Sequence, residues 1–305
     1  MPTDIDATPV RFSIIIPIYN DWEPLHGCLE SLAEQTATRR FEVIVVDDGS
    51  QTPAPESIRR FGHSFPVTFA WQPHAGIAAA RNWGIKNAKG ATLVFTDADC
   101  RLDQSCLAML NEAMSHPPQH KCFQLRLAGD RSNVLGRAED LRLGAIQDHL
   151  IQPDGRIRYL NTSGFAIHRS AIKPNAHLFD PAVLRSEDTL LLVDLMRSGE
   201  LPVFVSQAVV RHSVQMSLGE CIRKDVRVAW VEARTFQRIA SRGVRIRMEN
   251  VQRIALLRIL WRASGKPSIG RAAWFLLVAR QALQRSISVL YRCLPHPRSH
   301  APEPH

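Results

Sequence analysis

The residues best suited to chemistry are Asp97 and Asp99, one residue apart at the end of Ala91-Thr92-Leu93-Val94-Phe95-Thr96-Asp97-Ala98-Asp99-Cys100. The β-branched and aromatic run before them reads as a strand. Carboxylates at i and i+2 beyond a strand end both stay near the sheet edge. There they suit a hard divalent cation, Mg²⁺ or Mn²⁺, of the kind held by one or two carboxylates plus substrate phosphates. Alone, such a pair reads as a solvated acidic turn. Its companions along the chain change that reading. A second acidic turn, Asp47-Asp48-Gly49-Ser50, ends another apolar run, with Asp47 read as structural. Arg81 lies in an alanine-rich stretch, Glu187-Asp188 heads a helical pattern, and His212 follows a further apolar run.

The elements that must position these groups alternate between strand and helix. Residues 11–20 are apolar nearly throughout, a buried strand in which Pro17 marks the carboxyl end. Leu25, Cys28, Leu29 and Leu32 then recur at helical spacing behind Pro24. Residues 41–46 form the next buried strand, so strand, helix and strand make a right-handed βαβ unit. In such sheets ligands bind beyond the carboxyl ends of the strands, which places both acidic turns on one rim. Further expectations are strands over 65–71, 121–127 and 202–210 and helices over 74–84 and 131–152. Residues 159–167 read as a turn and then a strand, and a helix over 189–198 closes on Gly199.

Together these pieces resemble the inverting glycosyltransferases of family 2, which have the GT-A fold. The resemblance runs from Phe12 to His212. It rests on Phe12–Asn20 (the family's S-x-x-I-P-x-Y-N), Glu42–Ser50 (E-V-I-V-V-D-D-G-S) and Gly76–Gly84 (G-x-A-x-A-R-N-x-G), then Asp97–Asp99, Glu187-Asp188 and His212. It implies an α/β fold with a mixed, mostly parallel sheet flanked by helices and extended by C-terminal helices. It also implies a metal-dependent transfer from a nucleotide sugar, most simply a UDP sugar, to a hydroxyl of an envelope or surface glycan or a lipid-linked acceptor.

By the same resemblance Asp99 ligates Mn²⁺ or Mg²⁺, with His212 as a further ligand or diphosphate contact. Asp97 lies near the ribose or donor sugar, Asp48 reads the pyrimidine N3–H, and Pro17, Tyr19 and Arg81 complete the nucleotide pocket. Asp188 is the base that takes the acceptor's proton, and Glu187 binds acceptor or is structural. Thr162-Ser163-Gly164 stands where the family shows T-G-N, which puts Gly164 on the acceptor side and leaves the acceptor open. One base without a carboxylate nucleophile implies single displacement with inversion. The Q-x-x-R-W segment of processive members is missing, which argues against a polymer synthase.

Composition bounds the rest. At 305 residues and 45% hydrophobic content the chain can build one large α/β domain with an appendage. No apolar run approaches the ~20 residues of a membrane span. The first ten residues hold Asp4 and Asp6 and no apolar core, unlike a signal peptide. Six scattered cysteines without a C-x-x-C pair indicate neither zinc nor a disulfide framework and point to a cytoplasmic protein. Residues 1–206 carry 20 Lys/Arg against 24 Asp/Glu, whereas residues 207–305 carry 18 against 5. The cationic C-terminal third calls for an anionic partner. Two readings of its helices (226–239, 251–261 and 268–294) stand side by side: a cap on the domain, or an interfacial segment whose arginines 271, 280, 285 and 292 meet anionic headgroups at the inner face of the membrane. Nucleic acid is disfavoured, because the basic residues are not interleaved with an aromatic platform. Rival readings are a polyprenyl-phosphate sugar synthase and an inactive scaffold. The expected division is a flexible 1–10, a catalytic domain over 11–217, a basic helical region over 218–294 and a disordered 295–305.

Overall fold

The computed structural model describes residues 10–36, 40–116, 119–174, 176–183, 186–241 and 271–293. Expectations for the N-terminal nine residues, for the helix at 251–261 and for the tail from 295 lie outside them.

The first half alternates as anticipated: β1 (Phe12–Ile18), α1 (Trp22–Ala33), β2 (Phe41–Asp47), a one-turn α2 (Glu56–Arg59), β3 (Val67–Trp71), α3 (Ile77–Asn87) and β4 (Thr92–Phe95). Then come β5 (Cys100–Leu102), α4 (Cys106–Ser115), β6 (Cys122–Gly129), α5 (Val134–Leu150), β7 (Phe165–His168), α6 (Glu187–Ser198) and β8 (Val203–His212). Helices α7 (Leu218–Ser241) and α8 (Arg271–Cys293) follow. One eight-stranded sheet has the order β3-β2-β1-β4-β7-β6-β8-β5. Strands β7 and β5 run against the others, so the sheet is mixed and mostly parallel.

β1 and β2 are buried at every position because both faces of the sheet are covered. On one face α1, α4 and α5 pack through Leu25, Leu29, Leu107, Leu110 and Leu143 against Ile14, Ile16 and Val45. On the other, Ala78 of α3 and Leu191, Leu192 and Leu195 of α6 pack on Ile15, Leu93 and Phe95. Pro17 is the penultimate residue of β1, at its carboxyl end as expected, and is in register with Val46 of β2. Its neighbour β4 stops at Phe95 opposite Ile15, whose carbonyl accepts from Thr96 N. Two residues on, the missing proline N–H faces that same side, where no strand needs it.

The one-turn α2, the short β5 and the helix α4 have no counterpart among the sequence expectations. The C-terminal helices are docked on the body: Ala273 and Leu277 of α8 are buried against Ala138 of α5. Asp225 of α7 accepts two hydrogen bonds from the Arg280 guanidinium of α8, at 2.6 and 2.9 Å. Arg280 therefore points inward, which corrects its expected place among outward-facing arginines.

Candidate functional site

The turn between β4 and β5 carries Asp97 and Asp99, and each finds its own partners. Asp97 Oδ1 accepts from Arg81 Nη2 at 2.7 Å and Oδ2 from Ser163 Oγ at 2.6 Å. The other terminal nitrogen of Arg81 donates to Glu187 Oε1. Arg81 is 1% exposed and also lies over the Phe179 ring. It is a buried tie between α3, the β4–β5 turn and α6. A guanidinium suits this, since its planar fork can satisfy two carboxylates from fixed directions. Burial alone would lower its affinity for the proton, but Asp97 and Glu187 more than restore it and hold Arg81 charged. The charge of Arg81 is thus compensated by two acids.

Asp99 is placed by β5, because Cys100 sits opposite His212 in the β5–β8 ladder and Ser213 N donates to the Asp99 carbonyl. His212 Nε2 then lies 2.9 Å from Asp99 Oδ2. Burial disfavours charge on both groups, yet their mutual hydrogen bond and attraction win: Asp99 is held below the usual carboxylate range and His212 is pushed up. Nδ1 of His212 is buried and finds no hydrogen-bond partner among the described residues. Asp21 stands nearby, its carboxyl raised by burial and by the Asp99 charge.

Asp188 lies in the first turn of α6, whose entry residue Ser186 has φ 63°. Its Oδ1 accepts from Thr189 N at 2.6 Å. Burial, then the adjacent Glu187 carboxylate, push its carboxyl well above the ordinary range. Such a group can hold a proton at a pH where an exposed aspartate cannot.

Asp97, Asp99, Glu187, Asp188 and His212 all line one cavity of about 610 Å³. Ser163, Tyr159, the Glu139–Arg142 pair and the α7–α8 residues Lys224, Asp225 and Arg280 complete its walls. Of these, Tyr159, Glu139, Arg142, Lys224 and Asp225 were not singled out in the sequence. Ser163 had a visible signal, as the middle residue of Thr162-Ser163-Gly164. Gly164 itself is buried behind the wall: a Cβ there would come within 2.6 Å of Leu127 Cδ2, and its carbonyl accepts from Gln124.

Pro17, Tyr19 and Asp48 gather at the carboxyl ends of β1 and β2 instead. Asp48 is buried and fully engaged. Its Oδ1 accepts from Gln72 Nε2 (2.6 Å) and Ala75 N (2.9 Å), and its Oδ2 faces Gly76 N (2.8 Å) and His74 Nδ1 (3.0 Å). Gly76 has φ 92° and Gly49 φ 84°, so both turns need glycine. A Cβ on Gly49 would also meet the His74 backbone nitrogen at 2.7 Å. Tyr19, half exposed, lies against His74 with ring centroids 4.4 Å apart and the ring planes tilted by 32°.

A family profile described as glycosyl transferase family 2 matches residues 13–174, which hold Asp48, Arg81, Asp97 and Asp99. The chain belongs to glycosyl transferase family 2. Among curated relatives, glycosyltransferase AglE of Haloferax volcanii is 39% identical over 98 residues, which is 31% of this chain and 32% of that protein. Glycosyltransferase GlyA of Streptococcus pneumoniae is 33% identical over 101 residues, 33% of this chain and 14% of that protein. The chain thus matches about a third or less of these relatives' length.

Two solved structures share the fold. One is the mannosyltransferase PcManGT from Pyrobaculum calidifontis with GDP-Man and Mn²⁺ (TM-score 0.64, 17% identity, 94% of this chain and 90% of that one). The other is S. aureus TarS 1–349 with UDP-GlcNAc (TM-score 0.55, 15% identity, 93% and 92%). The mixed sheet flanked by helices is the GT-A architecture of the family. As for a metal, no cluster of three or more His, Cys, Asp or Glu side chains among the described residues forms a cage. Asp99 and His212 do offer a carboxylate oxygen and an imidazole nitrogen side by side, a set that fits an ion completing its shell with substrate phosphates.

Proposed function

We propose that this chain transfers a sugar from a nucleotide-diphosphate donor to an acceptor hydroxyl, with inversion at the anomeric carbon. The observation that carries this is the convergence of the Asp99–His212 pair and Asp188 on one cavity. Asp99 and His212 would hold a divalent metal, Mn²⁺ or Mg²⁺, which would supply neutralisation of the charge on the departing diphosphate. The PcManGT complex with GDP-Man and Mn²⁺ supports a divalent ion of this kind.

The chain's own residues do the rest. Asp188 takes the proton of the acceptor hydroxyl as its oxygen attacks, an assistance worth ~10²–10⁴-fold. Glu187, tied to Arg81, holds the start of α6 so that Asp188 faces the cavity. Asp97, locked by Arg81 and Ser163, borders the donor sugar. The nucleoside lies on the Tyr19–His74 pair beside Pro17, and Asp48 meets the base N–H by exchanging its bond to Gln72 or His74. Our first choice of donor is a UDP sugar, the nucleotide that TarS binds. The acceptor is an envelope or surface glycan, or a lipid-linked saccharide.

No helix among the described residues is long and apolar enough to cross a membrane. We place the enzyme at the cytoplasmic face of the cell membrane through α7, where Leu218, Ile222 and Val226 are exposed beside Arg223 and Arg227. The deciding experiment is release of UDP or GDP from a panel of UDP and GDP sugars, followed by mass spectrometry. No release from any donor, with or without Mn²⁺, sinks the proposal.

A further inference from the structure

Helix α7 turns Cys221, Lys224, Asp225 and Val228 to the cavity, positions i, i+3, i+4 and i+7 of one helical face. That face is fixed. Asp225 is buried, accepts the Arg280 fork and Gln284 Nε2 at 3.0 Å, and so binds α7 to α8, which in turn packs on α5. The guanidiniums that line the cavity are each matched by an acid: Arg81 by Asp97 and Glu187, Arg142 by Glu139, Arg280 by Asp225. Lys224 differs. Its side chain is exposed, and among the described residues no ion pair or hydrogen bond engages it. It lines the same cavity as Asp99 and His212, and its charge acts on both.

Resting on the nucleotide-sugar reading above, we propose that the Lys224 ammonium contacts the donor's terminal phosphate and stabilises the negative charge that develops there as the sugar departs. An unpaired ammonium on a flexible stem is suited to phosphate, since it offers three donors without fixed geometry. The atoms balance without a further reagent. The acceptor oxygen bonds to the anomeric carbon as its proton passes to Asp188. The carbon–oxygen bond to the diphosphate breaks and leaves its electron pair on the terminal phosphate oxygen. Lys224 keeps its protons and donates hydrogen bonds to that oxygen, more strongly as its charge grows, which is the condition for lowering the barrier.

The test is calorimetric titration of the full chain with UDP and UMP, and with GDP and GMP, in Mn²⁺. The variants are Lys224→Met and Lys224→Arg. The expected result for Lys224→Met is a loss of diphosphate affinity of about tenfold or more, with monophosphate affinity unchanged. The thermal melt stays at the wild-type value because the side chain is exposed. Lys224→Arg recovers most of the affinity, and kcat of Lys224→Met falls ~10²-fold at unchanged acceptor KM. Equal losses for UDP and UMP, or none, overturn the proposal. Wild-type protein that binds neither UDP nor GDP brings down the nucleotide-sugar reading itself, a distinct outcome.

Discussion

The carboxylate of Asp188 is held where ionisation is unfavourable, by burial first and by Glu187 second. A base in that state works only once it has lost its proton. The acid limb of kcat/KM should therefore lie well above the ordinary aspartate value of about 4. A kcat/KM that is flat from pH 5 to pH 8 in a rate–pH profile would contradict this. Stability has the opposite sign. A carboxyl whose folded pKa is raised binds its proton more tightly folded than unfolded, so stability is lost as pH climbs from the unfolded value to the folded one. Asp188→Asn imitates the protonated state. It should melt higher than wild type at pH 8, melt alike below about pH 4, keep its affinity for UDP and lose turnover by orders of magnitude. Asp99→Asn should do something different: nucleotide affinity that Mn²⁺ enhances in wild type becomes indifferent to Mn²⁺ in calorimetry. Persistence of the Mn²⁺ effect would move the metal away from Asp99.

Arg81 ties three elements at once, α3, the β4–β5 turn and α6, through two acids far apart in the chain. Removing one member of a buried charged cluster leaves the rest uncompensated, at about 3–5 kcal/mol. Arg81→Met should lower the melting temperature steeply, and Arg81→Lys only part of the way, because an ammonium cannot span both carboxylates in a planar fork. Wild-type thermal stability in Arg81→Met would show the tie to be idle. The sequence could not display this cluster. It showed Arg81, Asp97 and Glu187 as separate signals, and Glu187 is 106 residues from Arg81. What it displayed well were β1, β2 and β4, since strands covered on both faces are written as unbroken apolar runs. Edge strand β5 spans three residues, too few for any period, and its ladder partner β8 comes a hundred residues later. Yet β5 is what carries Asp99 to His212. Helix α4 did leave a trace, Cys106, Leu107 and Leu110 on one face, which the reading passed over. On α8 the apolar run left a cap on the domain and an interfacial segment equally open, and the structure buries Ala273 and Leu277 while it exposes Phe275 and Leu290. That Arg280 would turn to Asp225 depended on how α7 packs, which no local pattern records.

At the scale of the molecule, a near-neutral body carries a cationic third that begins at α7. The structure divides the roles of the two described helices in that third. Ala273, Leu277 and Arg280 of α8 face inward and hold the cap on α5 and α7. Leu218, Ile222 and Val226 of α7 face outward at intervals of four, beside Arg223 and Arg227. Phe275, Val289 and Leu290 of α8 are exposed as well. Apolar and basic residues on one outward surface suit the boundary between headgroups and acyl chains. Each basic side chain near an anionic surface is worth ~1 kcal/mol, screened over a Debye length of roughly 8 Å at physiological salt. Cutting α8 away would test this badly, since it strips Ala273 and Leu277 from the body. Substituting outward residues is cleaner. Wild-type protein should co-sediment with vesicles rich in phosphatidylglycerol and not with phosphatidylcholine alone, and lose that binding at 0.5 M salt. The double variant Ile222→Glu/Val226→Glu should remain in the supernatant with an unchanged melting curve and unchanged UDP release from a soluble donor. Equal binding of wild type and variant would remove α7 as the contact surface, and binding to neither vesicle would leave α7 and α8 with their structural duty alone, as the wall that closes the cavity over Asp188.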